Sequence, residues 1–193
     1  MKHFILALKL LVFSYLGYLL FFLATAYEPS SAGFSPPFTL WVLDTINLYI
    51  HEAGHLFLSL FGRFINILGG SLVQILIPLA LLIVTWRQNP GQTIYPAFWL
   101  GESMVNVSVY IQDAPFRKLR LIGKGLIHDW WWLLNGNEAI SASLSEAVFL
   151  LGLAICLLSL GAGVFYAVRV FREEGVPLTP SPAWSKQFPG RVA

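Results

Sequence analysis

Two histidines and a glutamate, His51, Glu52 and His55, are the residues of this chain whose types and spacing best fit a chemical role. They spell His-Glu-x-x-His. On a helix, His51 and His55 project from one face a single turn apart, so both imidazoles can bind one zinc ion. Glu52 lies beside them and can accept a proton from a water molecule that the zinc polarises. The motif therefore predicts a hydrolytic zinc site.

The motif lies within residues 40–62, an apolar segment long enough to span a lipid bilayer as a helix. Ionisable side chains at membrane depth are costly unless they are paired, bound to a metal or in contact with water. A chance run of polar residues along a helix contact is the alternative explanation, and this cost argues against it. Asp44, two turns before His51, is a candidate to orient one of the imidazoles.

Two histidines cannot complete a catalytic zinc site, which typically has three protein ligands and an open position for water. The leading candidates for the third ligand are Asp113 and Asp129, with His128 and Glu102 behind them. Asp113 lies near the basic end of its segment, so it reaches the depth of the histidines only if the helices are staggered. Asp129 follows a glycine-containing loop that can dip toward the metal, or it merely caps a short helix.

The segments that must position these residues are apolar helices. The chain has 193 residues, of which 56% are hydrophobic and 11% charged, with a mean hydropathy of +0.68. This composition is typical of a polytopic membrane protein, and the net charge of +2 is too small to indicate nucleic-acid binding. We expect one all-α transmembrane helix bundle, residues 1–175, followed by a proline-rich, disordered tail, residues 176–193.

Hydropathy predicts about five spans, with a segment too short to cross between the fourth and the fifth. The spans are residues 4–26, 40–62, about 72–86, about 94–112 and 144–168, and the short re-entrant or interfacial segment is 126–135. We expect the first span to be retained, because it is longer than the apolar part of a usual signal peptide. We also expect the second span to run back against the first, and a Gly69-Gly70-Ser71 turn to open the third.

Basic residues indicate the orientation of the spans. Lys2 and Lys9 at the N-terminus and the positive segment Arg117–Lys124 are expected on the cytoplasmic side. The sequence thus predicts an integral multi-pass membrane protein with a cytoplasmic N-terminus. Five spans would place the tail on the non-cytoplasmic side. Arg169 and Arg172 precede that tail and argue against five spans, because basic residues are expected on the cytoplasmic side.

The fourth span carries a polar stripe. Glu102, Asn106, Tyr110 and Asp113 follow each other at four, four and three residues, so they share one face of a helix. At that depth the stripe must face protein or a water-filled cavity. It is therefore expected to bring water to the site.

The motif within a spanning helix, followed two spans later by Asn106 and then by a loop-borne Asp, resembles the site-2 protease family of intramembrane zinc metalloproteases. The resemblance implies His51 and His55 as zinc ligands and Glu52 as the general base. It also implies that Asn106 matches the catalytic Asn of the family. His128-Asp129-Trp130 resembles an element of small bacterial membrane proteins grouped with these peptidases, which favours Asp129 over Asp113 as the third ligand.

The function implied by this resemblance is zinc-dependent cleavage of a transmembrane protein or peptide within the lipid bilayer, in a bacterial inner membrane. The chain lacks the Leu-Asp-Gly element of the family and any substrate-recruiting domain. A non-catalytic protein that binds metal, or a scaffold that binds transmembrane helices, is therefore the alternative. A transporter with a proton relay is a weaker hypothesis, because the chain shows neither paired repeats nor broken helices in both halves.

Overall fold

The computed structural model describes residues 2–119, 123 and 127–173, which form six α-helices and, in the described part, no strand. The helices are α1 (Lys2–Thr25), α2 (Phe38–Leu58), α3 (Arg63–Gln88), α4 (Ile94–Asp113), α5 (Asp129–Leu133) and α6 (Glu138–Glu173), with 3-10 turns at Ser59–Phe61 and Pro90–Gln92. The expected all-α fold is confirmed. The predicted tail, residues 176–193, lies outside the described residues.

Three helices are long and apolar enough to cross a membrane: His3–Thr25, Arg63–Gln88 and Glu138–Glu173. Helices α2 and α4 have 21 and 20 residues and carry the polar residues of the site, among them Asp44, Glu52 and Glu102. The predicted number of five spans is not confirmed and stays a prediction. Helix α5 has only five residues, so it is too short to cross, as expected for the segment around it.

The start of α3 differs from the prediction. The Gly69-Gly70-Ser71 segment does not form a turn, and α3 continues through it as a helix from Arg63. The turn lies earlier, at Gly62, whose positive φ of 87° suits glycine. Gly69 and Gly70 instead allow a close helix contact, because a Cβ on Gly54 of α2 would overlap the Gly69 carbonyl.

Helices α4 and α6 pack against each other along their length and run in opposite directions. Gly101 and Gly152 bring the two backbones together, and the buried Cys156 lies against Gly101. Helix α1 covers this pair with Leu19 and Leu23, in a core cluster that also holds Leu40, Phe98 and Val105. This core is the rigid support on which α2, α3 and α5 position the polar residues.

Helix α2 runs in the same direction as α1, so the expectation that it runs back against α1 is wrong. The Thr39 hydroxyl at its start hydrogen-bonds to Tyr15 in the middle of α1 (2.9 Å), whereas Asp44 hydrogen-bonds to Tyr27, beyond the end of α1. The connecting residues 26–37 fold back along α1, where the Phe34 ring lies near Tyr27 (5.5 Å between ring centres). The start of α2 therefore lies beside the middle of α1, roughly 15 Å along the helix axis before the C-terminal end of α1, at a rise of 1.5 Å per residue.

The two ends of the described bundle lie together. The rings of His3 in α1 and Phe171 in α6 are 5.1 Å apart, centre to centre. The ends of α1, α2 and α4 lie at the opposite end of the bundle, together with the start of α3 and with α5. The proposed zinc ligands are at that end.

Candidate metal centre

The structure brings His51 and His55 of α2 together with Asp129, the first residue of α5. Nε2 of His51 lies 2.9 Å from Asp129 Oδ2, and Nε2 of His55 lies 3.2 Å from the same oxygen. The three potential ligand atoms are all within 4.8 Å of one another. These three residues form a cluster that could hold a metal ion, and they are called the metal cluster below.

The geometry and chemistry of the cluster fit zinc. Zinc prefers imidazole nitrogens and carboxylate oxygens at about 2.0–2.1 Å in a tetrahedral arrangement, which separates two ligand atoms by about 3.3 Å. The two nitrogen-to-oxygen distances of 2.9 and 3.2 Å are close to that separation. These two separations, with all three ligand atoms within 4.8 Å of one another, are compatible with one shared ion.

The His55 ring is held in the tautomer that metal binding needs. Its Nδ1 donates a hydrogen bond to the main-chain carbonyl of Asn66 in α3 (2.8 Å), so Nε2 keeps a lone pair on the side of Asp129. In return, the Asn66 side chain donates to the His55 carbonyl (2.6 Å). This reciprocal pair joins α2 to α3 at the level of the metal cluster.

The His51 ring lies flat against Gly70. A Cβ on Gly70 would be 2.5 Å from Nε2 of His51, the atom that faces Asp129, so only glycine leaves room for the ring. His51 is 7% exposed, and its ring also packs against Tyr110 of α4 (5.6 Å between centres). The imidazole is thus fixed from both sides.

Helix α5 presents Asp129 from its first turn. The Tyr110 hydroxyl donates to Asp129 Oδ2 (3.4 Å) and accepts from the Asp129 amide (3.3 Å), and the Trp130 indole donates to Ser71 (3.0 Å). Burial opposes the charge on Asp129, but hydrogen bonds from His51 and from the charged form of His55, which a bound metal would replace, outweigh it and lower the pKa of the carboxyl to about 2. The carboxylate is therefore ionised at neutral pH, as a metal ligand must be.

Glu52 and His51 line the same cavity, which has a volume of about 290 Å³. Its wall includes Asp44, Asn106 and Tyr110, together with residues of the loop after α1. Two of the four residues of the predicted polar face of α4, Asn106 and Tyr110, thus line a space large enough for several water molecules, whereas Glu102 and Asp113 do not. Glu52 is half-buried on this wall, next to the metal cluster.

Asn106 is the centre of a hydrogen-bond network on that wall. Its Nδ2 donates to the Tyr27 hydroxyl (2.8 Å) and to Asp44 (3.0 Å), and its Oδ1 accepts from Gln74 (2.9 Å). Asp44, a candidate to orient an imidazole, instead orients Asn106 and accepts a hydrogen bond from the Tyr27 hydroxyl (2.5 Å). Four different segments of the chain meet in this network.

Glu102 lies deeper, away from the metal cluster. It is fully buried, its Oε2 accepts from Asn47 (2.9 Å), and its carboxyl interacts with that of Asp44. Its Oε1 has no hydrogen-bond partner in the structure. Glu102 is thus part of the helix contact between α2 and α4, and the structure does not place it among the candidate zinc ligands.

Asp113 and His128, the other two alternatives for the third ligand, form a separate buried pair. Nε2 of His128 lies 3.3 Å from Asp113 Oδ2. Tyr110 is adjacent to His51, so Asp113 is only about one turn away from the level of the histidines. Its depth therefore does not exclude Asp113 as a ligand. Asp113 lies outside the metal cluster because its two oxygens accept the main-chain amides of Lys118 and Leu119 (2.9 Å each).

No family model, curated protein or solved structure matches this chain.

Four residues around the site were not assigned a role by the sequence reasoning: Tyr27, Asn66, Gly70 and Gln74. Gly70 was expected only as part of a turn. Tyr27 and Asn66 carried no signal, because a tyrosine after a span and an asparagine early in a helix are common. Contacts between helices bring these residues to the site, and such contacts leave no periodic pattern in the sequence.

Proposed function

We propose that this chain is an intramembrane zinc endopeptidase of the site-2 protease type. The observation that carries the proposal is the convergence of His51, His55 and Asp129 from two distant segments, beside a cavity that also contains Glu52. A membrane helix bundle has little reason to bury two imidazoles and a carboxylate around one point unless they bind a cation. Zinc bound there would act as a Lewis acid that lowers the pKa of water and polarises a carbonyl.

The residues of the chain have separate parts in this reaction. Glu52, on the cavity wall, accepts the proton of the attacking water and then delivers it to the leaving amine. His51 and His55 are held in ligating orientations by Gly70 and by the Asn66 carbonyl. The chain supplies, in this way, a base, fixed ligands and a water-accessible space.

Asn106 is proposed to bind the main chain of the substrate. Its Nδ2 already donates to Tyr27 and to Asp44, whose oxygens are only 2.5 Å apart, so a peptide carbonyl would accept the second amide hydrogen or replace one of these acceptors. The Tyr27 hydroxyl can be released, because it also donates to Asp44 and keeps that bond. The exchange leaves no buried donor without an acceptor, which makes it energetically cheap.

The substrate class follows from the surroundings of the site. The end of α2 and the turn after it expose large apolar side chains, including Leu56, Phe57 and Leu60, of which 70–91% is exposed. A partner that reaches the cavity past these residues must itself be compatible with lipid. We therefore propose a transmembrane segment of a protein or peptide as the substrate.

The test of this proposal uses Glu52→Gln, which keeps the size of the side chain and removes the base. Cells that express the wild-type chain should contain new protein N-termini within or next to hydrophobic segments, measured by labelling and sequencing of N-termini. With Glu52→Gln these products should fall by about 10²-fold or more, which is the usual contribution of a general base. The purified variant should still bind zinc.

Equal product levels in the two strains would refute the hydrolase. Zinc binding with no products in either strain would favour the alternative, a protein that binds metal without catalysis.

A further inference from the structure

The pair formed by Asp113 and His128 lies beside the metal cluster, and no role in metal binding or in the chemistry has been assigned to it. Both side chains are almost completely buried, with 5% and 4% of Asp113 and His128 exposed. Burial of a carboxylate is costly unless the carboxylate is paired and hydrogen-bonded, so the pair needs a reason to exist. Its position in the chain supplies one, because His128 directly precedes Asp129.

Asp113 holds the chain where it leaves α4. One carboxylate oxygen accepts the amide of Lys118 and the other accepts the amide of Leu119, each at 2.9 Å. Oδ2 also lies 3.3 Å from His128 Nε2. The Asp113 side chain therefore contacts both the residues that follow α4 and His128, the residue directly before α5.

His128 is oriented by α5. Its Nδ1 accepts the main-chain amide of Trp131 (3.3 Å), which makes His128 the N-cap of that helix. Since Nδ1 is the acceptor, the ring hydrogen is on Nε2, the nitrogen that faces Asp113. Nδ1 thus caps the helix, while Nε2 contacts Asp113 at 3.3 Å without a hydrogen bond of good geometry. Together the two contacts set where α5 begins.

Tyr110 connects this pair to the metal cluster. Its ring packs against His128 (4.3 Å between centres) and against His51 (5.6 Å), while its hydroxyl exchanges hydrogen bonds with Asp129. A displacement of His128 would therefore move both Asp129, through the chain, and the ring that packs against His51.

We propose that Asp113 and His128 are positioning residues that hold the carboxylate of Asp129 against His51 and His55 before metal arrives. This inference rests on the proposed metal site. Fixing a ligand before binding reduces the conformational entropy that binding must remove, so the effect should appear in zinc affinity. Loss of such an outer partner typically weakens metal affinity by about 10–100-fold.

The test compares Asp113→Asn and His128→Asn with the wild type in detergent. Asparagine at 128 still caps α5 through its side-chain oxygen, but it is too short to reach Asp113 as imidazole does. Zinc affinity is measured by competition with a chelator, and the ligand set by the visible spectrum of the cobalt-substituted protein. The control, Asn137→Ala, removes the cap at the start of α6, where Asn137 accepts the Ile140 amide (3.0 Å).

We expect both variants to bind zinc about 10–100-fold more weakly, with an unchanged cobalt spectrum at saturation. The control should lower thermal stability without changing zinc affinity. If both variants bind zinc within twofold of the wild type, the positioning role is refuted while the metal site stands. An altered cobalt spectrum would make Asp113 or His128 a ligand and would also refute it. A wild type that binds no zinc would overturn the proposed function together with this inference.

Discussion

Gly70→Ala is the smallest change that should destroy the metal cluster. The new Cβ would lie 2.5 Å from Nε2, 2.6 Å from Cε1 and 2.7 Å from Cδ2 of His51, whereas ordinary contacts of a Cβ begin at 3.4 Å. The ring must therefore move by about 0.9 Å, or α3 must move away from α2. The second response would separate the two backbones at Gly54 and Gly69 and lose the close packing between α2 and α3.

Metal ligands tolerate errors of about 0.2 Å in bond length, so a movement of this size removes His51 from the coordination sphere. Loss of an outer partner alone costs about 10–100-fold in affinity, and loss of a ligand must cost more. We therefore expect zinc affinity to fall by more than about 100-fold, measured by chelator competition on the purified protein. Gly161→Ala is the matched control, because a Cβ at that helical glycine would meet nothing within 4 Å. A Gly70→Ala protein that binds zinc as the wild type does would refute the packing argument.

Three further predictions concern burial, metal removal and topology. Glu102→Gln should leave the free energy of unfolding nearly unchanged, because the new amide can donate toward Asp44, whereas Oε1 of Glu102 has no partner. Glu102→Ala should lower the free energy of unfolding by about 1–3 kcal/mol. Equal unfolding midpoints for the two variants would contradict this prediction. Stripping zinc with a chelator should lower the free energy of unfolding by about 2.7 kcal/mol relative to protein in zinc at 100 times Kd, and denaturant titration that finds no difference would exclude preferential binding to the folded state. Single cysteines introduced by His3→Cys and Glu173→Cys should react with an impermeant maleimide from the same side of the membrane. The buried Cys156 should stay unreactive. Labelling of the two positions from opposite sides would contradict the antiparallel arrangement of α1 and α6.

The fold class and the approximate helix segments could be predicted from the sequence, because the thickness of a bilayer sets how many consecutive apolar residues a spanning helix needs. Helix α4 begins at Ile94 and ends at Asp113, within one residue of the expected span. The beginning of α3 could not be predicted in this way. Gly69 and Gly70 have the composition of a turn, and only the packing partner α2 reveals that they permit a close helix contact.

The direction of α2 could not be predicted either, because the rule of alternating spans assumes that every apolar helix crosses. Here residues 26–37 return along α1, so α1 and α2 end at the same side of the bundle. The start of α1 and the end of α6 lie at the other end of the bundle, close to each other. Hydropathy contains no information on such a fold-back, which depends on contacts such as that of Phe34 with Tyr27.

The parts of the candidate site that depend on spacing within one helix could be predicted, and the parts that depend on contacts between distant segments could not. The spacing of His51 and His55 is set within one helix, so the sequence alone placed them on one face. The resemblance favoured Asp129 over Asp113, and the structure adds the physical reason, which is that one of the two carboxylates is already engaged. Asp113 binds two main-chain amides of its own loop, whereas Asp129 is directed at the histidines.

The central claim is that His51, His55 and Asp129 together bind a zinc ion. The most direct measurement is the X-ray absorption spectrum at the zinc edge, with metal content, for the purified wild type and for Asp129→Ala. The wild type should contain about one zinc per chain with a first shell of nitrogen and oxygen neighbours at about 2.0–2.1 Å, including two imidazoles, and Asp129→Ala should lose most of its metal. A wild type without zinc, or an Asp129→Ala protein with unchanged zinc content and an unchanged first shell, would contradict the claim.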